Sequence, residues 1–355
     1  MNWQDWIRHH RRESAALTAG VVIVLLLLIG WLGHRRPAAP FPPGQFQVEG
    51  FYENPSPGDP GSRPSFDQHW QHLTMVSPLW FSVNPDGSVT DTGYDNSLVS
   101  QAHAHHIGVI PLFVNANGSS DVLWTRSTRL KAAAAIRRVV VQDRLDGINL
   151  DFELLNPSSR SDLSKFVGDV AKQLHPLHKK VLVSVFPLLG VPTSINGAYD
   201  YRALGRTADA LIIMAYDHHY SGGPPGPVAP YDWVASNVRQ ALRLVPANRI
   251  ILAIGMYGYD WLNTGGPGPA STVSDVEAKA LAQSHHVPIT YIPSESQNRF
   301  VYQSSTGSSH VVWFMGDRSA HARIRLAQAD HLAGIALWRL GMEDSAFWKN
   351  VPVTR

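Results

Sequence analysis

Eight short apolar runs recur along this chain, separated by stretches too long for hairpins, and no other feature restricts the fold as much. They read QVEGFYE at 47–53, LTMVSPLWFSV at 73–83, GVIPLFVN at 108–115, GINLDFE at 147–153, VLVSVFP at 181–187, ALIIMAYD at 210–217, RIILAIGMYG at 249–258 and GIALWRLG at 334–341. Between them, segments such as 128–144, 161–175, 233–244 and 318–331 carry helical spacing. That alternation of strand and helix belongs to a parallel sheet with helices outside it, and eight units suggest closure into a (β/α)8 TIM barrel. An open doubly wound sheet is the alternative. No GxGxxG turn or GxxxxGK[ST] loop follows any of the runs, so nucleotide binding has no support.

Punctuation agrees with this division. Asp232 is placed to cap the helix that starts at Trp233, and Pro246 stands shortly after its expected end. The segment 262–316 is too long for a barrel loop and has its own pattern: a helix near 274–284, then VPITYIP, RFVYQSS and HVVWFMG. It reads as a small α+β insertion between the seventh and eighth strands, a candidate wall for a cleft above the barrel. No period of 20 to 50 residues is visible, which argues against solenoids and propellers.

The first 45 residues are different. From 15 to 33 the chain reads AALTAGVVIVLLLLIGWLG, nineteen residues without a charge. At 1.5 Å per residue this is enough to cross a hydrocarbon core of about 30 Å. His34-Arg35-Arg36 follows in place of a small-residue cleavage site, which favours an uncleaved transmembrane anchor over the alternative, a cleaved signal peptide. Arg8, Arg11 and Arg12 outnumber Arg35 and Arg36, so 1–14 is expected in the cytoplasm and the main domain outside it. A proline-rich linker at 34–45 precedes a barrel domain expected to occupy 46–350.

Bulk chemistry excludes several classes. A charge of +2 without a dense Lys/Arg run gives no footprint for a nucleic-acid partner, and the absence of cysteine rules out disulfides and thiolate chemistry. The seventeen histidines include four adjacent pairs, whose members face opposite ways on a strand, and none forms HExxH. Most read as surface residues, although His218, next to Asp217, is placed to reach a substrate. No metal or organic cofactor is implied.

Chemistry concentrates in Asp146-Gly147-Ile148-Asn149-Leu150-Asp151-Phe152-Glu153. A strand repeats every two residues, so Asn149, Asp151 and Glu153 share one face while Ile148, Leu150 and Phe152 share the other. In a barrel the apolar set packs on the helices, and two carboxylates and an amide then point inward. Crowded, desolvated carboxyls hold protons to higher pH, the property that a general acid needs; a structural network of buried carboxylates is the alternative.

This segment resembles the DxxDxDxE signature of family 18 glycoside hydrolases, the chitinase-like (β/α)8 barrels, with Asp146, Asn149, Asp151 and Glu153 at its named positions. Met214-Ala215-Tyr216-Asp217 is similar to that family's sixth-strand MxYD, Tyr257-Gly258-Tyr259-Asp260-Trp261 to the end of its seventh strand, and Trp338 to its eighth-strand tryptophan. The fragments GGPPGPVAPYDW and GIALWRLGMED look most like the spore-cortex-lytic and general-stress branch and the domains fused to polysaccharide deacetylases and glycosyltransferases. One position departs from the signature: Asn149 stands where the family has aspartate. An amide forms hydrogen bonds but cannot share a proton or carry charge, so proton handling is expected to differ.

The resemblance implies substrate-assisted hydrolysis of a glycan containing β-linked N-acetylglucosamine, namely chitin oligomers, peptidoglycan or an exopolysaccharide. Glu153 would protonate the glycosidic oxygen while the sugar's own acetamido carbonyl attacks the anomeric carbon. Asp151 and Tyr216 would hold that group, Trp338 would stack under the sugar, and Met214 and Asp217 would shape the subsite. Tyr52, Trp80, Asn115 and Tyr257 fall near strand ends and are candidates for sugar contact. For Tyr52 and Trp80 barrel packing explains the residue equally well, whereas Asn115, polar at the end of an apolar strand, reads as functional. A lectin-like protein that binds such glycans without cutting them, or a scaffold of the cell envelope, are the other readings; retention of Glu153, Asp151 and Tyr216 argues against the first.

Overall fold

The computed structural model describes Phe41 and residues 45–351; the segment 1–14 expected in the cytoplasm, the anchor expected at 15–33 and most of the expected linker lie outside the described residues. Among the described residues no helix is long and apolar enough to cross a membrane. All eight expected strands form one closed parallel barrel. We label them β1 (Gln47–Tyr52), β2 (Met75–Val83), β3 (Leu112–Asn115), β4 (Gly147–Asp151), β5 (Lys180–Val185), β6 (Ala210–Met214), β7 (Ile250–Gly255) and β8 (Gly334–Trp338). Each strand pairs with its sequence neighbour, except that β7 meets β8 across the inserted segment, and β1 pairs with both β8 and β2 to close the ring.

The two faces of each strand divide as alternation requires. Ile148 and Leu150 of β4 are fully buried toward the helical layer, where the ring of Phe152 stacks 5.5 Å from that of Phe166. Phe166 belongs to helix Arg160–Leu174, whose buried residues Leu163, Phe166, Val167, Val170 and Leu174 form a stripe at i, i+3, i+4, i+7 and i+11. Helix Arg126–Gln142 is started by Thr125, whose hydroxyl accepts from the Thr128 amide, and small Ala132 and Ala133 let it lie close to the barrel. One expected cap is corrected. Helix Tyr231–Leu242 begins after Pro230, so Asp232 sits within its first turn, where its charge still complements the helix dipole.

The amino ends of two strands are fastened by the same device. Asp146, just ahead of β4, accepts the Val109 amide at 2.9 Å and His103 Nε2 at 2.8 Å. Asp209, just ahead of β6, accepts the Val181 amide at 2.8 Å and His175 Nε2 at 3.1 Å. In each case an aspartate ties the start of its strand to the neighbouring extended segment and to a histidine from the helical segment ahead of that neighbour.

The segment between β7 and β8 folds as a five-stranded antiparallel sheet, ordered Ala270–Ser274, Tyr257–Leu262, Ser309–Phe314, Gln297–Gln303, Thr290–Ile292, with helix Asp275–Ser284 on one face. Ser274 and Glu277 form a reciprocal capping box at the start of that helix. The sheet starts at Tyr257, ahead of the expected 262. The apolar run 249–258 breaks at Met256, whose amide donates to the Trp338 carbonyl at 2.7 Å, and the chain then turns to pair Tyr257 with Ser274. Tyr257, Tyr259 and Trp261, two residues apart, line the sheet face that packs with Tyr216, Trp338 and Met342 at the barrel mouth.

Candidate active site

Every functional side chain brought together here stands at the carboxyl end of the barrel. Asp151 ends β4 and Glu153 lies two residues on; Met214 ends β6, with Tyr216 and Asp217 just beyond; Trp338 ends β8. The exit of β4 is held rigidly. The Asn115 side chain accepts from the Glu153 amide at 2.9 Å and donates to the Glu153 carbonyl at 3.0 Å, while the Tyr199 hydroxyl donates to the Phe152 carbonyl at 2.6 Å. Leu154, immediately after Glu153, takes a left-handed φ of 53°, which turns the chain away and leaves the Glu153 side chain facing the barrel mouth.

Burial and crowding then set the protonation chemistry. Burial raises the Asp151 carboxyl well above the usual range and the charge of Glu153 raises it further; Ser184 opposes both. Burial also raises Glu153, with the charge of Asp217 adding to it. Asp217 has a left-handed φ of 56° and takes hydrogen bonds from the Tyr257 and Tyr259 hydroxyls, the latter at 3.0 Å. The Tyr216 hydroxyl is kept protonated to high pH by burial and by the charges of Asp151, Glu153 and Asp217. The result is a cluster of carboxyls whose proton affinity is raised, beside a phenol that stays protonated and can donate. Trp338 is half-buried, packed edge-on against Phe51 at 5.2 Å, and shares a cluster with Tyr216 and Tyr257. A cavity of about 650 Å³ opens beside it, bounded by Asp217, Tyr259, Glu53, Asp59 and Glu277.

This arrangement coincides with a family match. The model for "Glycosyl hydrolases family 18" aligns with residues 50–343. The chain belongs to glycosyl hydrolases family 18. It is 26% identical over 321 residues to the glycosylase YvbX of Bacillus subtilis, covering 87% of this chain and 92% of that protein. It is 28% identical to a cortical fragment-lytic enzyme of Bacillus anthracis, over 78% of this chain and 67% of the relative. Among solved structures it resembles a chitinase from Chromobacterium violaceum (TM-score 0.81, 29% identity, 87% of this chain and 98% of that one). It also resembles the spore cortex-lytic enzyme SleL of Bacillus megaterium (TM-score 0.79, 25% identity, 87% and 74%). The cortical fragment-lytic enzyme and SleL match the spore-cortex-lytic branch expected from the sequence, and the chain is a glycoside hydrolase of this family.

Four expected site residues stand elsewhere or act differently in this family 18 barrel. Asp146 lies at the opposite end of β4 from Glu153, about 23 Å away along an extended chain at some 3.3 Å per residue, where it performs the clamp described above. Tyr52 alternates outward: it packs edge-on against Phe66 in the helical layer, and its hydroxyl faces Arg63. Trp80 is fully buried against Phe81 and Tyr94, with its indole N–H donated to Asn54 at 3.2 Å. Asn115 has both amide atoms bonded to backbone, where it positions Glu153. Tyr257 is present in the cluster, but through Asp217.

Phe51, Glu49, Ser184, Tyr199 and Tyr259 are parts of the site that sequence reading passed over. Glu49 had a visible signal, a carboxylate within the apolar run QVEGFYE. It is fully buried inside the barrel, accepts from Ser77 Oγ at 2.5 Å, and burial pushes its pKa up to about 7. Asn149 is also fully buried, accepting from Ser184 Oγ at 3.2 Å.

Proposed function

We propose that this protein is a retaining hydrolase of glycans containing β-linked N-acetylglucosamine, such as chitin oligomers, peptidoglycan or an exopolysaccharide, and that it works by substrate assistance. The observation that carries this reading is the placement of Glu153 beside Asp151 at the end of β4, where burial raises the proton affinity of both, with the charge of Glu153 adding to it at Asp151 and that of Asp217 at Glu153. Glu153 donates its proton to the glycosidic oxygen, and the acetamido carbonyl of the sugar closes on the anomeric carbon, giving an oxazolinium ion. Asp151, as an anion, orients the acetamido N–H and balances the positive charge. Tyr216, a donor at all working pH values, binds the carbonyl oxygen. Glu153 then takes a proton from water as it opens the ring, so the anomeric configuration is retained. Trp338 forms the apolar floor under the distorted sugar, with Met214 and Asp217 beside it. The names of the relatives, a cortical fragment-lytic enzyme and a chitinase, support a hexosamine polymer. We further propose that the apolar segment 15–33 anchors the enzyme so that the barrel acts outside the cytoplasm.

The test is hydrolysis of N-acetylglucosamine oligomers and purified peptidoglycan by the full-length protein and by Glu153→Gln, with the products identified by mass spectrometry. Cleavage that is lost in the variant supports the acid role. Glycan binding by both proteins without cleavage by either would replace this reading with a lectin-like one.

A further inference from the structure

Asn149 deprives Asp151 of a proton-sharing neighbour on its own strand, and a hydroxyl from the next strand stands beside both. Ser184 is buried inside the barrel, one step beyond the pairing of Leu150 with Val183, so it lies alongside Asp151. Its Oγ donates to Asn149 Oδ1 at 3.2 Å and is near enough to the Asp151 carboxylate to stabilise its charge. Two buried polar atoms next to it have no partner: Nδ2 of Asn149, a donor, and Oδ1 of Asp151, an acceptor. They sit two residues apart on the same strand face. A hydroxyl has one proton, so Ser184 serves Asn149 or Asp151 and not both. When it turns to Asp151, Asn149 Oδ1 loses its donor, and the unpartnered Nδ2 of Asn149 stands on the same strand face as the carboxylate.

We propose that Ser184 is a positioning residue that selects which carboxyl of the Asp151–Glu153 pair carries their shared proton. The inference rests on the reading of Glu153 as proton donor. With one proton on the pair, the productive arrangement has Glu153 neutral and Asp151 anionic; the opposite arrangement has the proton on Asp151 and an idle glutamate. Between them a proton moves from one carboxyl to the other and the negative charge moves the opposite way. A hydrogen bond from Ser184 favours the first arrangement, because an ionised carboxylate is the stronger acceptor. The other groups facing the pair are Tyr216 from beyond β6, Asp217 behind it, the Tyr199 hydroxyl on the Phe152 carbonyl, and Glu49 on β1 acting through Tyr216.

The experiment compares full-length wild type with Ser184→Ala by carboxyl difference infrared spectroscopy between pH 5 and 9. Asp151→Asn and Glu153→Gln assign the bands. The expected result is that the protonated-carboxyl signal in Ser184→Ala shifts from glutamate toward aspartate, with the Asp151 titration displaced upward by about one pH unit. On any oligosaccharide the wild type cleaves, kcat should fall about tenfold with little change in KM, as one hydrogen bond to a charged group predicts. Bands and titration that coincide with those of the wild type would overturn the proposal. The spectroscopic arm needs no turnover, so a protein that cuts no glycan would refute the proposed function while the proton's location was still determined.

Discussion

Asn115 holds Glu153 by its backbone alone: one side-chain amide, at the end of β3, accepts from the Glu153 N–H at 2.9 Å and donates to its carbonyl at 3.0 Å. The contact crosses from one barrel strand to the exit of the next and fixes the backbone of Glu153, two residues after Asp151. It is a reason for a polar residue at the end of an apolar strand that needs no sugar contact.

Asn115→Ala should therefore act on rate more than on binding. Removing the amide strands a part-buried N–H and carbonyl, costing about 2 kcal/mol of stability, and frees the Glu153 backbone. Misplacement of a catalytic group by a fraction of an ångström to an ångström costs roughly ten- to a hundredfold in kcat. Kinetics on the best oligosaccharide substrate would show this as a kcat loss at nearly constant KM. A raised KM with kcat preserved would mean that Asn115 touches the glycan after all.

Asp146 gives the opposite expectation, although it opens the signature that contains Glu153. Its bonds go to the Val109 amide and to His103, with Lys179 Nζ 3.9 Å away, all at the amino end of the barrel. The side chain is more than a third exposed, so its ion pairs add little and the amide bond dominates. Asp146→Ala should lower stability by about 1 kcal/mol and leave kcat and KM within about twofold of wild type. A large kcat loss in a protein with normal thermal unfolding would contradict this placement.

How legible was the site in the sequence? The period-two pattern in GINLDFE was sufficient to put Asn149, Asp151 and Glu153 on one inward face, since a strand's geometry leaves no other choice. The same rule turns Tyr52 outward, because Glu49 and Phe51 occupy the inward positions of β1, and nearness to a strand end says nothing of which face a residue takes. Trp80 lies where β2 shifts register between Leu79 and Phe81, and a bulge cannot be read from an apolar run. Contacts between strands, such as Ser184 with Asn149 or Tyr259 with Asp217, depend on register and on the placement of the inserted sheet, which no local pattern records.

Glu49 predicts a pH dependence of stability. Burial raises its pKa from 4.5 to about 7 in the folded protein. Below the unfolded value both states are protonated and the group is neutral in its effect. Above it the unfolded chain releases a proton that the folded one retains, so stability falls as pH rises from about 4.5 to about 7 and then levels off. Glu49→Gln removes this contribution while keeping an acceptor for Ser77. The stability difference, variant minus wild type, should become steadily more favourable across that window in urea titrations at several pH values. A difference independent of pH would show that Glu49 titrates normally in the fold.

Arg323 predicts how the inserted sheet is secured to the barrel. Its guanidinium is buried, and its hydrogen bonds run to uncharged oxygens: the Ser296 carbonyl and hydroxyl at 2.9 Å, the Ser319 carbonyl at 3.0 Å, the Glu295 carbonyl at 3.3 Å and the Ala229 carbonyl. Burial lowers its pKa to about 10, which leaves it charged at neutral pH, with the Tyr231 ring 5.4 Å away. One side chain thus joins the loop after β6, the inserted sheet and helix Asp317–Ala329. Arg323→Met should cost about 3 kcal/mol, because the carbonyls it served become unpaired, and lower the melting temperature by roughly 5 °C. Arg323→Lys should recover little, since an ammonium cannot reach five acceptors in a planar fork. Hydrogen exchange should rise first at 228–231 and 295–299, and Asp217 should follow, because Tyr257 and Tyr259 hold it from the same sheet. Exchange confined to helix Asp317–Ala329 would mean that the sheet is held by its apolar contacts with Tyr216, Trp338 and Met342, and that the guanidinium is dispensable to the cleft.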